Sequence, residues 1–283
     1  MRRRLARGGI AALAWVGVTA FAGGDVGVLA RIGVGAVALS VVAQAVAADE
    51  PAGFSYHASV GPAIYVAPAY PGARRSREVW FPFVDADIND RFYTSAEDLI
   101  GVYAYKTEAT QVGAAIAWDL THRISSDDER LRGLPNVNET ARFKLFASRT
   151  LYFITGDANV ATDMAGQGQG TLAQANLWFT APFSPTFSVS VGPGVTWADA
   201  DYLRTFYSMP AGRGMGVSLP AFSTRAGVVD VHLNGLAEWT VLSHYRIGAS
   251  AYWAHLKGDA SASPITQRRS QATLVGWIAY KFK

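Results

Sequence analysis

The chain has 283 residues, half of them hydrophobic, with 28 glycines and no cysteine; this fits one large domain or two small ones and excludes disulfides and thiolate metal sites. Residues 1–47 hold five arginines and one acid, Asp25, and the remainder carries 20 bases against 21 acids. That near-neutral remainder excludes a global nucleic-acid surface, despite the formal net charge of +3.

The N-terminus begins with RRRLAR (residues 2–7), continues as an apolar run and reaches Ala45-Val46-Ala47. Basic, apolar and small-residue regions in that order read as a secretory signal peptide, cleaved before Ala48. The segment is long for a signal and is interrupted by Gly23, Gly24, Asp25 and Arg31. A translation start near Val26 or Val28 is therefore expected. The same glycine break and the Ala47 site argue against two transmembrane helices. A single domain is expected over 48–283.

Beyond the leader the chain alternates with period 2, the pattern of strands with two unlike faces. The first is Phe54 to Val66. Others run near 77–87, 90–95, 99–107, 110–119, 142–149, 151–161 and 171–181. Phe187 to Trp197 is the clearest, and 229–242, 245–256 and 270–282 complete twelve. The links 67–76, 120–141, 162–170, 199–228 and 257–269 are long; 88–89, 108–109, 149–150, 182–185 and 243–244 are short. Short and longer links alternate. An up-and-down membrane barrel does this when short turns face the periplasm and long loops face outward. The fold expected is therefore all-β: a transmembrane antiparallel β-barrel of about twelve strands.

In such a barrel the stretch VVDVHLNGLAEWTV (Val228 to Val241) would turn Val229, Val231, Leu233 and Trp239 to lipid. Asp230, His232, Asn234 and Glu238 would face the lumen, where added charge should be mild. Asp119, Arg142, Lys144 and Arg246 are also expected inside, and their mixed signs favour a salt-bridged, plugged interior over a selectivity filter. Trp80, Trp118, Trp178, Trp197, Trp253 and Trp277 are expected in interfacial girdles.

Three runs appear in order: APAYPGARRSREVWFPF, AAIAWDLTHRISSDDERLRGLPNVNETARF and LKGDASASPI, followed by a closing AYKF. With them the chain resembles the MipA/OmpV family of MltA-interacting outer-membrane proteins. Arg123, Ser126, Asp127, Leu131, Gly133 and Leu134, and Asp259, Ser263, Pro264 and Ile265, carry the most specific parts. The run TFYSMPAGRGMGVS (Thr205 to Ser218) departs from the family's usual pattern. The resemblance implies a Gram-negative outer-membrane location. In some members it implies a scaffold joining a lytic murein transglycosylase to a murein synthase. The alternatives are a small-solute channel and a surface adhesin.

Neither a metal site nor a cofactor is expected. His57, His122, His232, His244 and His255 lack metal-ligand spacing. His255 with Ser261 or Ser263 is the nearest approach to a catalytic pair, but those serines fall in a loop, and no enzyme is expected. GQGQG (166–170) reads as a flexible loop rather than a phosphate cradle, and SSDDER (125–130) as a solvated acidic loop rather than a calcium site. Barrel closure would make 67–76 and 257–269 neighbours. Arg74, Arg75, Arg77, Arg268 and Arg269 would then form an outward rim suited to lipopolysaccharide phosphates.

Overall fold

The computed structural model describes residues 55–210 and 219–282. The expected signal peptide, its start site and residues 211–218 of the divergent run lie outside the described residues.

Each strand pairs with its sequence neighbours, and the last pairs with the first, closing the barrel. The strands are β1 (Tyr56–Pro68), β2 (Ser76–Ile88), β3 (Phe92–Thr94), β4 (Asp98–Lys106), β5 (Thr110–Asp119) and β6 (Thr140–Leu151). They continue as β7 (Ile154–Asp163), β8 (Thr171–Ser184), β9 (Phe187–Ala198), β10 (Gly227–Val241), β11 (Tyr245–Leu256) and β12 (Ser270–Lys281). All pairs are antiparallel, and β1 meets β12 from Ser59↔Lys281 to Val66↔Leu274. Closure satisfies edges that hydrocarbon would leave unpaired. Among the described residues two short α-helices, α1 (Ala200–Tyr207) and α2 (Gly258–Ala262), lie in the long links. No helix among the described residues is long and apolar enough to cross a membrane.

The outer face is apolar. Leu145, Val160, Leu177, Val191, Leu233, Leu274 and Ile278 are exposed, while the residues between them turn inward. Exposed aromatics gather towards strand ends: Trp80, Trp197 and Trp253 towards the long-loop end, and Tyr105, Tyr152, Phe183, Trp239 and Tyr280 towards the short-turn end. This is the outward band and paired girdle of an outer-membrane barrel.

Four expectations are corrected. Val229 does not face lipid. The ladder to β9 shifts between Val228 and Asp230, so Val228 takes the exposed position (40%) and Val229 is buried (4%). A bulge adds one residue and moves everything beyond it to the opposite face. Trp178 and Trp277 are not girdle residues either. Trp178 donates its Nε1–H inward to Asp157 at 2.7 Å, and Trp277 stacks on Phe83 with centroids 5.2 Å apart. Trp118, by contrast, shares the outward parity of exposed Val112 at the long-loop end of β5 and donates its Nε1–H to Glu139. Finally, Arg77 leaves the proposed outward rim. It bonds the Leu120 carbonyl and pairs with Glu139 at 3.6 Å.

Arg77 sits at a seam. Strand β3 has three residues and meets β4 at only two register positions. On that side β2 is laddered only over Ala86–Ile88. Higher up, the Arg77–Glu139 pair and the Leu120 carbonyl link β2 to the 120–139 connection in place of a backbone ladder.

Candidate functional site

The outer mouth of the barrel is filled by its own loops. Asp199 caps α1, its side chain accepting from the Tyr202 N–H at 2.9 Å. The helix then presents Tyr202, Leu203, Phe206 and Tyr207 as one buried stripe. These pack on Val137, Val229, Leu256 and Ala260. Val229 is thus buried against the plug. Above lies a second apolar cluster drawn from four connections: Tyr70 and Ala73, Leu131 and Leu134, Met209, and Ile265. Tyr70-Pro71-Gly72-Ala73 makes the turn that delivers Tyr70. Ala73 N–H bonds the Tyr70 carbonyl, and Gly72 has φ +97, as the third position of a type II turn requires.

The residues that carried the family resemblance converge here. Arg123 donates to the carbonyls of Phe206 and Pro135. Burial pushes its pKa down to about 10, so it remains a buried cation at neutral pH. Asp127 accepts from Ile124 N–H. Asp128 accepts from Arg130 N–H and from Gln267. Asp259 accepts from Arg225 N–H, and Ser263 donates to the Tyr207 carbonyl at 2.5 Å. The acids of SSDDER thus build the turns of their own loop and tie it to the 257–269 connection.

Below α1 a polar layer crosses the interior. His232 bonds Asp230 through Nδ1 and the Asn176 Oδ1 through Nε2, both at 2.8 Å. Asn234 donates to Asn176, which donates to Asp157. Tyr252 donates to Asp230 at 2.9 Å. Asp230, His232 and Asn234 are all buried. The link from β8 to β10 spans β9 because Gly194 has no side chain: a Cβ there would lie 2.2 Å from His232 Nε2. Farther along, Glu238 holds Arg246 at 2.8 Å, and Asp85 meets the same guanidinium. Lys144 meets Asp98 at 2.5 Å, and Arg142 meets Asp119 at 2.7 Å. These lumenal charges are paired along the wall, between neighbouring or nearby strands.

The sequence reading missed Gln169. It is fully buried, accepts from Arg142 Nη2 and donates to the Asn138 carbonyl. Gly166, Gly168 and Gly170 flank it with positive φ, so GQGQG is a shaped loop that delivers one amide inward. Alternating glycines around a single polar side chain were the available signal. It missed α1 too, whose signals were Asp199 and the spacing of Tyr202, Phe206 and Tyr207.

Among the described residues no three metal-ligating side chains form a cluster. His255 does not meet Ser261, which donates to the Gly258 carbonyl, nor Ser263. It meets Ser270 instead, Nδ1 to Oγ at 3.0 Å.

The two connections expected to meet at the rim do so. Gln267 and Arg268 both donate their N–H to the Gly72 carbonyl. Arg74, Arg75, Arg268 and Arg269 are exposed around this junction, and Arg269 is turned to the Ser261 carbonyl.

Solved outer-membrane structures share low identity with this chain. The COG4313 outer membrane channel from Pseudomonas putida F1 is 11% identical, with TM-score 0.38, over 83% of this chain and 97% of that one. A Pseudomonas aeruginosa FadL homologue is also 11% identical, with TM-score 0.34, over 81% and 90%. No curated protein matches. The closed barrel, its apolar belt and its girdles place the chain in the outer membrane. The family model described as "MltA-interacting protein MipA" matches residues 60–282, and the chain belongs to that family.

Proposed function

We propose that this barrel is a closed scaffold of the envelope that associates with murein-remodelling enzymes, a lytic murein transglycosylase and a murein synthase. The observation that supports it best is the filled mouth: α1 and four connections form apolar clusters where a channel would need water. Paired lumenal charges point the same way. A protein that need not conduct can devote its interior to rigidity, and its periplasmic turns and termini to partners. The family description names interaction with MltA, which is chemistry of the murein layer rather than transport. We read the chain as non-enzymatic, since Ser261 and Ser263 are committed to carbonyls.

Co-purification from solubilised envelopes tests the scaffold. Recovery of a murein transglycosylase with the tagged barrel, but not with an unrelated barrel of similar size, is the expected result. Reproducible single-channel steps in planar bilayers, with no murein enzyme recovered, would move the assignment to a small-solute channel. Binding to host surfaces with neither property would make it an adhesin.

A further inference from the structure

The outer wall carries a second feature, at the outer edge of the plug, where Ala73 belongs to both. Where β1, β12 and β11 reach the long-loop end, a cleft of about 90 Å³ is lined by Pro68, Ala73, Arg74, Trp253, Arg268 and Ser270, among others. Its floor is lipid-facing wall: Trp253 is 54% exposed and pairs with Ala272. Its two arginines come from different connections, and their backbones are held firmly. Gly72 N–H donates to Gln271, whose amide returns to the Ala73 carbonyl. Arg74 N–H donates to Gln267. Among the described residues, no ion pair involves Arg74, Arg75 or Arg268, in contrast to the paired lumenal cations. Glu78, exposed on β2, is the nearest acid along the strand. Ser270 adds a hydroxyl, oriented by His255 at 3.0 Å.

We propose that this cleft binds a phosphate of an outer-leaflet glycolipid, lipid A. Three features specify the ligand. Guanidinium forks match phosphate oxygens in pairs. The site lies at the outward end of the barrel, where the head-group layer meets the hydrocarbon. Trp253, an indole at that level, offers an apolar surface to the adjoining acyl chain. A soluble anion would need the arginines but not the lipid-facing floor. Arg77 has no part in it, being committed to Glu139 and Leu120. The inference is independent of the scaffold reading.

The test compares the full-length wild-type barrel with the R74Q/R75Q/R268Q variant. Heat-modifiable migration verifies folding. Binding of bisphosphorylated and of fully dephosphorylated lipid A is measured in zwitterionic micelles across a salt titration. The wild type should prefer the phosphorylated lipid, and the variant should bind it roughly tenfold more weakly, as expected for the loss of one or two charge-assisted contacts. R132Q, at an arginine paired with Glu129 in the 120–139 connection, should bind as the wild type does. Equal binding of both lipids by the wild type would overturn the proposal, as would undiminished binding by the folded triple variant. If the triple variant does not fold, R268Q alone is read by the same criteria.

Discussion

Arg123 donates to the carbonyl of Phe206 at 3.2 Å, tying the 120–139 connection to the last turn of α1. The end of a helix carries partial negative charge, so a cation is favoured there. The residue is 4% exposed and also donates to the Pro135 carbonyl. Hydrogen bonds to charged groups contribute about 1.5–3 kcal/mol each. Arg123→Met should therefore loosen the plug without opening the barrel. Protease should nick the 199–226 connection faster, and planar bilayers should show current that the wild type lacks. A silent, protease-resistant R123M barrel would mean that apolar packing alone closes the mouth.

Gly194 makes a different prediction. A Cβ at this position would lie 2.2 Å from His232 Nε2 and 2.3 Å from Asn176 Oδ1. Gly194→Ala must break the β8–β10 link or displace β9, at a cost of about 1–3 kcal/mol. Gly235→Ala is the control, since its Cβ would meet only Ala251 at 4.0 Å. Denaturant midpoints of the two folded variants should differ clearly, with G194A lower.

What the sequence made legible was whatever depends on near neighbours. Strand rhythm and the alternation of short and long links are local properties, and they led to twelve strands and a closed barrel. The rim junction followed from closure alone. The bulge at Val229 was not legible, because nothing in Val228-Val229-Asp230 announces the extra residue; it shows only in the register opposite Trp197 and Thr196 on the neighbouring strand. Trp178 shares strand parity with Asn176, which was a usable signal for an inward side chain. Trp277 was decided by Phe83, and Arg77 by Glu139, both distant in sequence. Helix α1 is only eight residues long, too short for its stripe to stand out against the surrounding strands.

The two faces of β10 can be separated by charge. Leu233 is exposed to lipid, so Leu233→Arg should cost about 2–4 kcal/mol near the midplane. Val229→Arg should disturb the plug instead, because Val229 packs with Tyr202 and Leu256. The structure also revises the expectation that charge at Asn234 would be mild. Asn234 is buried and donates to Asn176 at 3.0 Å, so Asn234→Arg should also impair assembly. Its defect should be relieved by adding Asn176→Ala, which clears space. Leu233→Arg should gain nothing from that second change. Heat-modifiable yield across the four variants reads both outcomes, and rescue of Leu233→Arg by Asn176→Ala would contradict the face assignment.

Alkali should act first on the mouth. Burial raises the Tyr207 pKa well above its ordinary value of 10.0, and Tyr202 and Tyr70 are raised for the same reason. The sign follows from linkage. Below pH 10 these phenols are protonated in the folded and unfolded loops alike, and their packing contributes in full. As pH rises past 10, the released loop loses protons that the packed loop still holds, so stability falls with increasing pH. The closed backbone ladder of the barrel does not depend on these loop phenols, so the barrel should outlast its plug. Tyrosinate ultraviolet absorbance should show a late-titrating group of phenols, and protease should begin to nick the 199–226 connection as that group ionises. Tyr207→Phe removes one of these buried hydroxyls and should move the onset of nicking to higher pH. If all tyrosines ionised together near their ordinary value while the loop stayed resistant, the mouth would not be held by buried phenols.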